Sequence, residues 1–155
     1  MGGHLMKGLV CIGLSVSAAA LGNYSYVELG ASVVWPGPYI RIGKVMHMSD
    51  YAEVDIAGNF TWGLVVWPSI SASAGLQIKA STDFSWGPEA TIGLAQFRIP
   101  YGHGGARFKW RTSDTEYFTT YVGACPMTSW YQDAYVYVER YWAAPVISFG
   151  WVRTF

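Results

Sequence analysis

Charge is what this chain has least of. Charged residues make up 13% of it, well under the roughly 25% of an ordinary soluble domain. Ten basic residues balance ten acidic ones, so no global field draws the protein to nucleic acid. Cysteine is nearly absent: Cys11 and Cys125 are the only two, with no CxxC pair or Cys/His spacing that would hold zinc, and a structural disulfide is not expected. The three histidines, His4, His47 and His103, are scattered. Missing too are a phosphate-binding loop, a dinucleotide fingerprint and a calcium loop. The stretch Gly102, His103, Gly104, Gly105 is similar to an esterase oxyanion loop, but no GxSxG nucleophile accompanies it. Glu53 and Asp55, two apart on one strand face, could act as an acid and base or bind a cation with Asp50; a solvated strand face is the commoner role for such a pair. The expectation is therefore a non-enzymatic protein, with no catalytic residues, metal or cofactor.

What the chain does have is apolar and aromatic surface. Hydrophobic residues reach 52% and aromatics 17%, a composition suited to strands and to interfaces. At 155 residues there is room for one domain. Residues 1–22 form an apolar N-terminal segment; from Met6 it carries Lys7, an apolar stretch and the small residues Ala18, Ala19 and Ala20. This pattern suits a cleaved secretory signal or a retained packing or anchor segment. Residues 23–155 form a single β domain. Asn23 and Asn59 sit in glycosylation sequons.

Period-two alternation dominates after Gly22. Over 70–81, Ile70, Ala72, Ala74, Leu76, Ile78 and Ala80 point one way, while Ser71, Ser73, Gly75, Gln77, Lys79 and Ser81 point the other. Similar runs predict about ten strands in all, separated by turns at 35–38, 48–50, 85–89, 100–105 and 124–130, where Gly, Pro, Ser and Asp collect. No helical period is found. The expected fold is an antiparallel β-sandwich or jelly roll of about eight to ten strands, with an eight-stranded up-and-down barrel as the alternative.

Two groups of residues are candidates for contact. In the run 107–111, Arg107, Lys109 and Arg111 share a face opposite Phe108 and Trp110. As an exposed stripe they suit sulfated or phosphorylated glycans; over a Phe and Trp core they are a solvated outer face; in a membrane barrel they would point into the lumen and pair with Glu or Asp. Tyr135, Tyr137 and Tyr141 form a second row opposite Ala134, Val136 and Val138. Such a row would meet a partner sheet, a sister subunit, a glycan or a lipid boundary.

The strands YIRIGKV at 39–45, YAEVDIAG at 51–58, LQIKA at 76–80 and DAYVYVERYW at 133–142 resemble those of distal phage tail-fibre domains over about residues 35–145. The resemblance implies a virion or extracellular location and a homotrimer without cofactor. It also implies loops that touch a host glycan, which points to Trp67, Trp86, Trp130 and Tyr131. A second likeness runs the other way: Ile147, Phe149, Trp151 and Phe155 on one face of the last strand resemble the C-terminal signal of bacterial outer-membrane barrels. Against that reading stand Lys44 and Arg153, which interrupt apolar rows; a charge at mid-bilayer on the lipid face costs about 2–4 kcal/mol. About ten short strands also fit an eight-stranded barrel poorly, and a retained N-terminal segment decides for the virion module over the membrane barrel.

Overall fold

The computed structural model describes residues 23–32, 37–62, 68–129, 132–133, 136–137 and 140–155. The apolar segment 1–22 lies outside them. The strands are β1 (Tyr24–Ser32), β2 (Gly37–Ser49), β3 (Ala52–Thr61), β4 (Ser69–Lys79), β5 (Phe84–Ala95), β6 (Ile99–Arg111), β7 (Glu116–Ser129), β8 (Gln132–Asp133), β9 (Val136–Tyr137) and β10 (Arg140–Thr154). Eight of them close into one antiparallel barrel in the order β1-β10-β7-β6-β5-β4-β3-β2, while β8 and β9 form a small separate hairpin. The sandwich expected from the sequence is thus replaced by the up-and-down barrel. Closure follows from the ladder that joins the first and last strands, from Tyr26↔Thr154 to Ser32↔Ser148. A closed sheet leaves no lateral edge to cover, so no second sheet is required.

The strands are longer than the sequence suggested because several glycine- and proline-rich stretches are strand, not turn. Residues 85–89 lie within β5, 100–105 within β6, and 124–129 within β7. The glycines there and elsewhere make room for rings. A Cβ on Gly43 would occupy the space of the Tyr26 ring, one on Gly30 or Gly150 would meet Tyr39, and one on Gly105 or Gly123 would meet Tyr121. Each of these three tyrosine rings occupies space that a glycine on the neighbouring strand leaves empty.

Three tight turns, after β2, β4 and β6, share one rim with the start of β1 and the end of β10, where Ser25 and Phe155 exchange backbone hydrogen bonds of 3.3 and 3.0 Å. The opposite rim carries the connections at 33–36, 63–67 and 130–139, plus the β5–β6 turn, where Gln96 and Phe97 are both left-handed with φ of 54° and 60°. We call these the short-turn rim and the loop rim.

Candidate functional site

The alternation is as clean as the sequence promises, but its two faces are reversed. Glu28 is 1% exposed and its neighbour Leu29 58%; Arg41 is 1% exposed and Ile42 60%. The wet face of 70–81 points into the lumen, where Ser73 and Gln77 are buried, and the dry face, Leu76 and Ile78 among it, is outside. Glu53 and Asp55, expected on a solvated face, are buried as well.

Inside, the short-turn half of the barrel holds an ion-pair network. Arg41 reaches across the lumen to grip Glu89 with two hydrogen bonds of 2.7 and 2.9 Å. Arg107 grips the same carboxylate at 2.6 and 3.1 Å and donates to Glu28 at 2.9 Å. Lys109 donates to Asp55 at 2.7 Å. Tyrosines link the charges: Tyr26 donates to Asp55 and accepts from Arg41 Nε, and Tyr39 donates to Glu28, which also accepts from Thr119. Three cations thus meet three carboxylates, each charge hydrogen-bonded, as burial demands. Two arginine forks on one carboxylate fix its position in the manner only planar guanidinium allows. A second cluster lies nearer the short-turn rim, where Glu53 pairs with Lys79 at 2.7 Å and His47 at 2.9 Å. Between the clusters, the fully buried Gln77 amide has no hydrogen-bond partner among the described residues.

The loop half is lined differently. Asn59 donates to Ser71 and Ser73, Tyr101 lies 3.5 Å from Ser69, and His103 Nδ1 is 2.8 Å from the Tyr121 hydroxyl. Tyr121, Cys125 and Val146 form a small buried cluster.

Outside, the wall is apolar, with aromatics at both rims and within the wall. Rings connect across four strands from Phe84, at the short-turn rim, to Phe149, paired with Ala31 further up the wall, with centroid separations of 5.5 Å for Phe84–Trp110, 6.0 Å for Trp110–Phe118 and 6.4 Å for Phe118–Phe149. Trp86 and Trp151 are exposed beside them. At the loop rim Phe60 and Trp62 neighbour each other, and Phe97 is exposed. Between lie exposed aliphatics such as Ile40, Ile56, Ile92 and Val122. Of the two charges that interrupted the apolar rows, Arg153 sits at the short-turn rim, one residue from the end of β10 and paired with Val27 and Glu116, while Lys44 lies five residues before the end of β2, between Ser25 and the exposed Ile56.

The candidate contact residues separate accordingly. Arg107 and Lys109 do not form an exposed stripe; they are lumenal and paired with acids, while Arg111 is exposed near the short-turn rim and bonds Asp114 at 2.8 Å. Trp86 is on the outer wall. Trp67, Trp130, Tyr131 and Tyr135 lie outside the described residues, and Tyr137 and Tyr141 are placed only as backbone, in β9 and β10. The sequence reading missed Glu28, Arg41 and Glu89 as site residues. Their signal was a balanced set of charges on the tyrosine-bearing face of several strands.

The fold and the lumen define a closed eight-stranded barrel with a polar interior and an apolar exterior. No family model and no curated protein matches the chain. Among solved structures it is similar to a chain described under "De novo design of transmembrane beta-barrels", at 15% identity and a TM-score of 0.56, covering 88% of this chain and 98% of that one. That similarity is one of fold.

Proposed function

We propose that the chain is a small bacterial outer-membrane β-barrel which spans the bilayer as a plugged cylinder and has an anchoring or structural role without chemistry of its own. The observation that carries this reading is the reversal of faces: paired charges within, exposed Leu, Ile and Trp without. A soluble protein with that exterior would leave a continuous apolar belt in water, whereas lipid supplies the missing solvent and the closed ladder satisfies the backbone. Aromatics at both rims suit the girdles of membrane barrels, and charges near a rim cost only about 0–1 kcal/mol, which removes the objection from Arg153. By the usual asymmetry of such barrels, the short-turn rim faces the periplasm and the loop rim the outside. Trp86 then serves as an interface anchor rather than a platform for sugar. A tail-fibre module would call for a polar outer face, and the comparisons offer nothing in its favour.

The test is folding into vesicles. The refolded chain is expected to migrate differently on SDS gels before and after boiling, and to add no conductance above background to a planar bilayer. A chain that stays monodisperse in buffer without detergent would overturn the reading.

A further inference from the structure

The interior of an eight-stranded barrel is just wide enough to be filled by side chains or to hold one small ligand. In the short-turn half arginine, lysine and tyrosine fill it, and Glu28, Arg41 and Tyr26 are at most 2% exposed. In the loop half, the lumen-facing positions of β3 to β6 carry Asn59, Ser69, Ser71, Gly93, Tyr101 and His103, and all six are only half-buried. Outer-wall residues of the same strands, such as Phe60, Ile92 and Leu94, face away from them. Solvent therefore reaches the six from the lumen. It stops at Ser73 and Thr91, which are 3% and 4% exposed and pair with each other one step above Glu89.

One wall of this cup is aromatic. Gly93 pairs with Tyr101, and a Cβ on it would stand 2.8 Å from Tyr101 Cε1 and 2.5 Å from Ser71 Cβ. The missing side chain lets the Tyr101 ring lie across β5 toward β4, where its hydroxyl is 3.5 Å from Ser69 Oγ. The His103 ring runs nearly parallel to it, at 18° and with centroids 6.2 Å apart. Beside the rings is an amide. Asn59 Nδ2 donates to Ser71 at 3.1 Å and to Ser73 at 3.3 Å, and its Oδ1 has no partner among the described residues. His103 Nδ1 is taken by the Tyr121 hydroxyl, and its Nε2 likewise has no partner among the described residues.

The chemistry of these groups selects a ligand class. A charged ligand would find no counter-ion among them and would give up its hydration unpaired. An apolar one would cover Asn59 Oδ1 and the serine hydroxyls without replacing their water. A neutral pyranose meets both demands, because its hydroxyls give and accept hydrogen bonds at its edge while its C–H face packs on an aromatic ring.

We propose that the loop half of the lumen is a binding cup for one neutral pyranose, stacked on Tyr101 and hydrogen-bonded by Asn59, Ser71 and His103. The cup is a property of the lumen and holds whatever medium surrounds the wall; on the membrane reading it opens to the outside. The test uses the full chain, isotope-labelled and folded in dodecylphosphocholine, a detergent without sugar. Three side-chain amides report by NMR: Asn59 in the cup, Gln96 in the turn at the loop rim, and Gln77 buried in the short-turn half. The probes are the methyl α-glycosides of glucose, galactose and mannose, with glucose 6-phosphate and caffeine as a charged and a flat neutral control.

At least one glycoside should move the Asn59 signal saturably, with Gln96 and Gln77 still and both controls without effect. Tyr101→Ala should weaken that binding roughly tenfold, and Tyr101→Phe, which keeps the ring, should change it little. Ser71→Leu fills the cup and should abolish it. The gel shift on boiling shows that each variant is folded, and if Tyr101→Ala does not fold, Ser71→Leu decides. If no glycoside moves Asn59, the loop half takes only water or its own side chains and the site is refuted. It is refuted also if Gln96 moves with Asn59 and Ser71→Leu changes nothing, which marks a surface contact, or if glucose 6-phosphate or caffeine binds as well as the glycosides. A chain soluble without detergent would overturn the membrane reading and leave this result standing.

Discussion

The short-turn half of the lumen is filled by Arg41, Arg107 and Lys109 locked to Glu28, Asp55 and Glu89, whereas the loop half is lined by Asn59, Ser71, Thr91, Tyr101, His103 and Val146. No Asp, Glu, Lys or Arg faces inward in the loop half among the positions whose side chains are described. The difference is instructive because both halves share the same strands and the same wall. Where long charged side chains converge, the barrel is solid and each group depends on several others. Where the side chains are short and neutral, contacts are pairwise.

The comparison is broken most directly by Arg107→Met. The change leaves Glu28 and Glu89 buried with fewer partners, and removing one member of a buried pair costs about 3–5 kcal/mol. Urea unfolding of the refolded barrel should show that loss, while Asn59→Leu in the loop half should cost about 1 kcal/mol or less. Equal losses would mean that the two halves do not differ in coupling. A smaller effect is expected from Gly43→Ala, whose added methyl meets the Tyr26 ring and so displaces a hub between Arg41 and Asp55, at about 1–3 kcal/mol. Gly58→Ala is the control, since nothing lies within 4 Å of its Cβ position. The smallest expected effect has the opposite sign. Gln77→Met replaces an amide without partners by an apolar chain of similar size and should raise stability by about 1 kcal/mol; a loss of stability would show that the amide is satisfied within the ionic half.

Much of the fold was legible in the sequence. The alternation over 70–81 located a strand and separated its faces correctly, and the same rule placed most others. What period two cannot encode is which face meets the solvent, because a half-buried strand of a sandwich and a strand of a membrane barrel read alike until the surroundings are known. Glycine misled for a physical reason. In 100–105 it was taken as punctuation, although Gly105 lies in a strand and leaves space for the Tyr121 ring. The site was legible only in part. Arg107 and Lys109 were singled out, and the option of lumenal pairing was weighed, but their partners Glu28, Asp55 and Glu89 are far apart in sequence and only closure brings them to one point.

The ladder between β1 and β10 has a consequence for the order of events in assembly. Tyr26 pairs with Thr154, so the barrel cannot shut until its last strand has been made. Before that contact forms, the sheet is open, with two unpaired edges and its charges not yet joined. Such a topology folds slowly, because its decisive contact is also its most distant one.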